Sequence, residues 1–240
     1  MNIFHEGLYR PLFNLLIWLY DVIPGSDIGF AIIALTLVVK LALWPLTHAS
    51  LKSQKALQDL QPKLDALKEE HKDDKEKLAK AMMELYASEK VNPLSSCLPI
   101  LVQIPILIAL YRVLSAGLHA ESLSALYGFV HNPGSINAMF LGFVNLESRN
   151  IPLAVISGVC QFFQTRMLIA RRPPKQVRGT PGAKDEEMLT SMNQSMMYMM
   201  PVMTSVIGAS LPGGLTLYWV AINLISIAQQ YLVFHHKAKK

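Results

Sequence analysis

Charge is scarce in this chain. Of its 240 residues 52% are hydrophobic and 16% are Asp, Glu, Lys or Arg, a balance that excludes an ordinary soluble domain and points to repeated passage through a bilayer. Cysteine is scarcer still. Cys97 and Cys160 both fall in apolar runs, read as small core residues, and carry no message about redox compartment. Motif chemistry is missing too. There is no Gly-rich phosphate cradle, no GKS or GKT and no HExxH, and His235-His236 beside Lys237 reads as a basic tail rather than a metal site. Ser157 and Ser226 have no intramembrane His partner, and His48 reads as a boundary residue. An intramembrane enzyme therefore has little support, and neither a catalytic residue, a metal nor a cofactor is expected. No Asp or Glu lies inside an apolar run, which argues against a carboxylate proton relay. No short charged-then-apolar stretch with a small-residue cleavage site precedes the first run, so no cleaved signal peptide is expected.

What the chain does have is a misplaced cation. Lys40 lies inside "IGFAIIALTLVVKLALWPLT", residues 28–47, long enough to cross a bilayer. A cation there costs about 2.5–3.5 kcal/mol on insertion scales. Its ammonium either snorkels toward the Thr47 end or faces local water.

The remaining segments arrange themselves around that run. Residues 1–27 are amphipathic, with Leu8, Leu12, Leu15, Leu16 and Leu19 at helical spacing, and read as a helix in the membrane interface. Residues 48–94 change polarity abruptly. Positions 49–91 hold nine Lys and nine Asp or Glu with apolar repeats at Leu57, Leu60, Leu64 and Leu67, the pattern of an antiparallel helical hairpin turning at His71–Asp74 and bent at Pro62. Further spans are expected at 95–116, 151–170, 192–211 and 215–234. The loop at 117–150 is uncharged enough, through Leu123, Leu126, Tyr127, Phe129, Phe140 and Leu141, to dip into the interface. The loop at 171–190 is charged and rich in Pro and Gly, and 235–240 is a basic tail. The predicted fold class is an all-α polytopic membrane protein: five transmembrane helices plus an N-terminal interfacial helix and a cytoplasmic helical hairpin.

Orientation follows from Lys and Arg. Residues 48–94 carry nine, 171–190 carry five and 235–240 carry three, whereas 1–27 and 117–150 carry only Arg10 and Arg149. The positive-inside rule then puts the N-terminus outside and the hairpin, the second loop and the C-terminus in the cytoplasm. The net charge of +5 is read as this bias rather than as affinity for nucleic acid. Each span also carries a polar stripe, with Thr36, Lys40 and Thr47 on the first, Ser96 and Gln103 on the second, and Thr216, Trp219, Asn223, Ser226 and Gln230 on the last. With this orientation Lys40, Gln103, Gln161, Gln164, Asn193 and Gln230 fall in the cytoplasmic half and Asn223 near the middle. A single amide in a span is commonly interhelical glue. Several at one depth, together with Lys40, point to a hydrated cavity open to the cytoplasm and closed outside. The methionines at 192, 196, 197, 199, 200 and 203 fit either a pliable binding surface or ordinary packing.

Three stretches carry a family resemblance: "FAIIALTLVVKLALWPLTHASLKS" (30–53), the charged hairpin from "LQPKLDALKEEHKDDKEKL" through "EKVNPLSSCLPILVQIPILIALY" (60–111), and "MMPVMTSVIGASLPGGLTLYWVAINLISIAQQYLV" (199–233). Together they cover most of the chain from about Phe13 onward, while 117–150 matches poorly. The chain resembles the YidC-type membrane protein insertases, the Oxa/Alb/YidC group. The resemblance implies a five-span core, a cytoplasmic hairpin and a hydrophilic groove holding one cation. It puts Lys40 where most bacterial members have Arg, which keeps the charge and loses the bidentate fork. It puts Thr36 and Gln103 on groove positions, and Tyr218 and Trp219 at the aromatic pair that meets client helices. It further implies insertion of nascent membrane proteins into the lipid bilayer without nucleotide hydrolysis. The partners it implies are the ribosome, targeting factors and the Sec translocon. No Arg- and Ser-rich transit segment is visible, which favours a bacterial plasma membrane over an organelle. The competing reading is a small-solute transporter or channel, which calls for an internal repeat; no convincing one is visible.

Overall fold

The computed structural model describes residues 3–71, 74–92, 98–116, 120–168 and 183–235. Helix α1 (Arg10–Val22) grows out of a single π-turn at His5–Tyr9. Pro11 sits in its first turn, where a missing N–H costs nothing. Its apolar face, Leu12, Phe13, Leu16, Ile17 and Tyr20, is buried while Trp18 faces outward, as the leucine spacing predicts. Asn14 is also buried, and it ties this helix to the loop after α6: its Nδ2 donates to Ala125 O at 3.2 Å, and its Oδ1 accepts from Tyr127 N at 2.6 Å. Arg10 adds a bond from Nε to Ala125 O at 3.0 Å, with its guanidinium 4.7 Å from the Tyr127 ring centre.

Asp27 caps α2 (Ile28–Ala42), accepting from Gly29 N at 2.7 Å and Phe30 N at 3.3 Å. The run expected to be one span over 28–47 breaks at Leu43, and α3 (Trp44–Asp59) leaves at 69°. Pro45 is the physical cause: it cannot donate to the Leu41 carbonyl, and its ring opposes a straight continuation. Pro62 acts as predicted, standing in the first turn of α4 (Gln61–Glu70) just after the chain bends at Leu60. The hairpin closes on α5 (Lys75–Ser88). Asp74 caps α5 by accepting from Lys77 N at 3.0 Å and pairs with Lys77 Nζ at 3.0 Å, two bonds that hold its carboxyl below the usual carboxylate range. Leu60 and Leu64 are buried, and Lys63 pairs with Glu89 across the hairpin.

Helix α6 (Leu98–Ala116) runs through Pro105. The following loop holds a short antiparallel turn, β1 (Met139–Phe140) against β2 (Val144–Asn145), the one strand pair among the described residues. Then come α7 (Ile151–Leu168), α8 (Ala183–Ser210) and α9 (Gly213–His235). Helix α8 begins nine residues before the expected span at 192, inside what was expected to be loop; its side chains through residue 196 lie outside the described residues. Helices α7 and α8 approach closely at Gly158. A Cβ there would overlap Ser205 Oγ and lie 2.7 Å from Pro201 O.

One core joins α1, α2, α6 and the start of α9 through Phe13, Ile17, Ile32, Leu35, Val113 and Leu215. Large apolar side chains also point outward, among them Leu37 and Leu41 of α2, Val155 and Val159 of α7, and Val202 and Val206 of α8. Lipid is the solvent in which such a surface is stable. Among the described residues Ile151–Leu168 and Gly213–Phe234 are long and apolar enough to cross a bilayer, and α2 with α3 makes a third if the bent pair is one broken span. Leu101–Ser115 of α6 is a shorter apolar helix. The chain is an all-α membrane protein.

Candidate functional site: a cation in an apolar bundle

A small open cavity of about 40 Å3 lies where α2, α6 and α9 meet the α2–α3 bend, room for a few water molecules. Its apolar walls include Val39, Leu43 and Ile222; its polar lining is Thr36, Lys40, Thr47, Gln103 and Tyr218. Lys40 comes from the last turn of α2, where a cation also meets the negative end of the helix dipole. Its Nζ donates to Ser226 Oγ at 2.8 Å, and Ser226 in turn donates to Ile222 O at 2.6 Å. Among the described residues no carboxylate pairs with Lys40. The ammonium therefore holds one neutral partner and has two further N–H groups to offer.

The other polar groups are held more firmly. Thr36 is buried, and its hydroxyl donates back to Ile32 O at 2.7 Å. Gln103 Nε2 donates to the Tyr218 hydroxyl, joining α6 to α9 across the cavity. At the bend, Thr47 Oγ1 bonds to Leu43 O at 3.0 Å and accepts from Gln229 Nε2 at 2.8 Å. Two more contacts draw α3 against the bundle: Lys55 Nζ donates to Phe234 O at 3.1 Å, and Gln58 Nε2 donates to Leu168 O. These occupy terminal carbonyls of α9 and α7, groups that have no partner within their own helices.

Thus Lys40, Thr36, Gln103 and Tyr218 share one cavity. The remaining predicted residues stand elsewhere. Asn223 Nδ2 donates to Ser157 O at 3.3 Å, joining α9 to α7. Gln161 bonds Thr165 on its own helix at 3.3 Å, and Gln164 is half-buried on α7 away from the cavity lining. Trp219 packs against the apolar core. The side chain of Asn193 lies outside the described residues. Sequence reasoning had missed Gln229 and the partnership of Ser226. The signal for Ser226 was its place on the α9 polar stripe; nothing in the pattern marked Gln229.

Comparison with known proteins fits this architecture. The model of the 60Kd inner membrane protein family matches residues 18–240. A protein of Syntrophobacter fumaroxidans named membrane protein insertase YidC is 35% identical over 228 residues, 95% of this chain and 38% of its own length. Proteins of the same name from Ralstonia nicotianae and Nitrosococcus oceani are 37% and 36% identical, covering 93% and 94% of this chain and 35% and 36% of their own lengths. The chain therefore spans little more than a third of the length of these curated relatives. A match that runs through the cavity helices, the hairpin and the last three helices decides the matter: the chain belongs to the 60Kd inner membrane protein family, the family of the YidC insertases.

Proposed function

We propose that this chain moves segments of nascent membrane proteins into the bilayer, with the Lys40 cavity as the groove they enter. The observation that carries the reading is Lys40 itself, a cation among apolar helices whose one partner among the described residues is a neutral hydroxyl. An arriving carboxylate offers more: at about 4 Å and an effective dielectric near 20, the attraction is about 4 kcal/mol. A client with an acidic end is drawn in, the cavity water and the amides lower the cost of its polar residues, and its apolar span leaves sideways into lipid past Tyr218 and Trp219. Transfer of apolar surface drives the step, so no nucleotide and no covalent chemistry are needed. Gln161, Gln164, Asn193 and Asn223 extend the polar depth of the groove away from Lys40.

The cavity of about 40 Å3 is a resting size. Admitting a chain requires α6 and α9 to part, and the Gln103–Tyr218 bond is the contact that spans them beside Lys40. In this reading the five spans are 28–47, 95–116, 151–170, 192–211 and 215–234, with the N-terminus outside and the cytoplasmic hairpin docking ribosomes, targeting factors or the Sec translocon. The bacterial plasma membrane is where it works.

The test uses the purified full chain in liposomes and a single-span client with an acidic N-terminus. Insertion no better than in empty liposomes refutes the reading. Lys40→Ala is expected to slow the acidic client by about tenfold or more while leaving a client with a neutral N-terminus near its original rate. Lys40→Arg is expected to keep most activity, because charge rather than fork geometry is what this site supplies.

A further inference from the structure

The strand turn after α6 ends in an apex that has no packing reason to be apolar. Leu141 and Phe143 are 52% and 74% exposed, with Gly142 between them. Leu141 has φ +54° and Gly142 φ +79°. Two successive left-handed residues favour Asn-Gly, and a leucine in the first position is strained. An aliphatic side chain thus sits exposed where the backbone disfavours it.

The position of this apex is fixed. The Phe140 ring lies over Gly29, where a Cβ would overlap it, and meets Phe30 edge-on at 5.5 Å. Leu141 N donates at 2.7 Å to Asp27 Oδ2, whose other oxygen caps α2. The apex is therefore bolted to the first turn of α2, the end at which the proposed first span begins. Phe30, Leu37 and Leu41, spaced seven and four apart on α2, are exposed too, so the apex continues the lipid-facing stripe of that helix.

We propose that Leu141 and Phe143 form a lipid anchor, seated in the headgroup and upper acyl layer beside the N-terminal end of α2. The occupant is the bilayer itself. An aromatic and an aliphatic side chain held rigidly at that level suit the interfacial zone, and lipid contact accounts for keeping leucine at a left-handed position.

The test uses the full chain in phosphatidylcholine–phosphatidylglycerol vesicles, with Cys97→Ser and Cys160→Ala as background. A fluorophore is attached at Phe143→Cys and, for comparison, at Ser135→Cys, an exposed site of the same loop. Iodide quenching at position 143 is expected to be weaker than at 135 by at least about threefold, with headgroup-level nitroxide lipid showing the opposite order. Equal iodide quenching overturns the proposal and leaves the apex to a partner absent from the vesicles. Protection that disappears when protein is diluted in lipid overturns it in favour of a second copy. An unlabelled variant separates anchoring from turn stability. Leu141→Asn suits the left-handed site better, so a purely structural role predicts slower amide exchange across Met139–Asn145 in vesicles. Anchoring predicts faster exchange, by about tenfold; slower or unchanged exchange refutes it.

Discussion

The two halves of α9 differ in what they bury. From Leu215 to Ala221 its buried side chains are Leu215, Thr216, Leu217, Tyr218, Val220 and Ala221; from Asn223 to Gln230 they are Asn223, Ser226, Gln229 and Gln230. The first half needs few specific partners, since many small dispersion contacts sum to its stability. The second half needs a partner for every amide and hydroxyl, because an unsatisfied polar group in an apolar medium is expensive. It finds them one at a time: Ser157 O for Asn223, Lys40 for Ser226, Thr47 for Gln229. Gln230 Oε1 is buried with no partner among the described residues, a site suited to an ordered water. The apolar half behaves as a fastening. The polar half is joined to its neighbours by separate, exchangeable bonds, which suits the wall of the proposed groove.

The sharpest way to break that contrast is to injure the apolar half alone. Phe13 has no exposure and joins α1 to the core shared by α2, α6 and the start of α9. Phe13→Ala is expected to cost about 3–5 kcal/mol, read as a lower midpoint for loss of helical signal in detergent. Insertion activity should fall only with the folded fraction. A loss of activity at full folding would mean that the core behind this half, and not only Tyr218 and Trp219, takes part in handling clients.

Asn14 gives a smaller effect of the same kind. Asn14→Leu removes the acceptor of Tyr127 N and one of the two donors to Ala125 O, the other being Arg10 Nε. The expected loss is about 1–3 kcal/mol, accompanied by faster amide exchange at Tyr127 and Val130. Exchange confined to Leu12–Tyr20 instead would show that the helix, not the loop, depends on this bond.

These assignments were legible in the sequence to different degrees. Lys40 announced itself, since a cation inside an apolar run has to be explained by something nearby. Gln103 and Thr36 stood on polar stripes and share its cavity. Tyr218 could come only from family resemblance: a phenol in an apolar helix looks like any core aromatic until Gln103 is found against its hydroxyl. The bend at Leu43 was spelled out by Pro45, but unbroken hydropathy through Thr47 hid it. Charge alternation and Pro62 made the hairpin readable because both act locally. Lys40 and Ser226 are 186 positions apart, and no periodicity within one helix can reveal that pairing.

The smallest expected change is also the most discriminating. Ser226→Ala removes the hydroxyl that receives Lys40 Nζ and leaves the ammonium to cavity water. One neutral partner is lost at a site with room for water, so the stability change should stay below about 1 kcal/mol. Two opposite roles for Lys40 then separate. If the cation serves incoming carboxylates, its bond to Ser226 competes with the client, and Ser226→Ala should leave insertion of an acidic client within about twofold of the original rate, or raise it. If Lys40 instead braces α2 against α9, Ser226→Ala should slow insertion as much as Lys40→Ala does, for acidic and neutral clients alike. Rates for the two clients with the two variants distinguish these roles. Equal slowing across all four would make the polar half of α9 a second fastening and erase the difference between its halves.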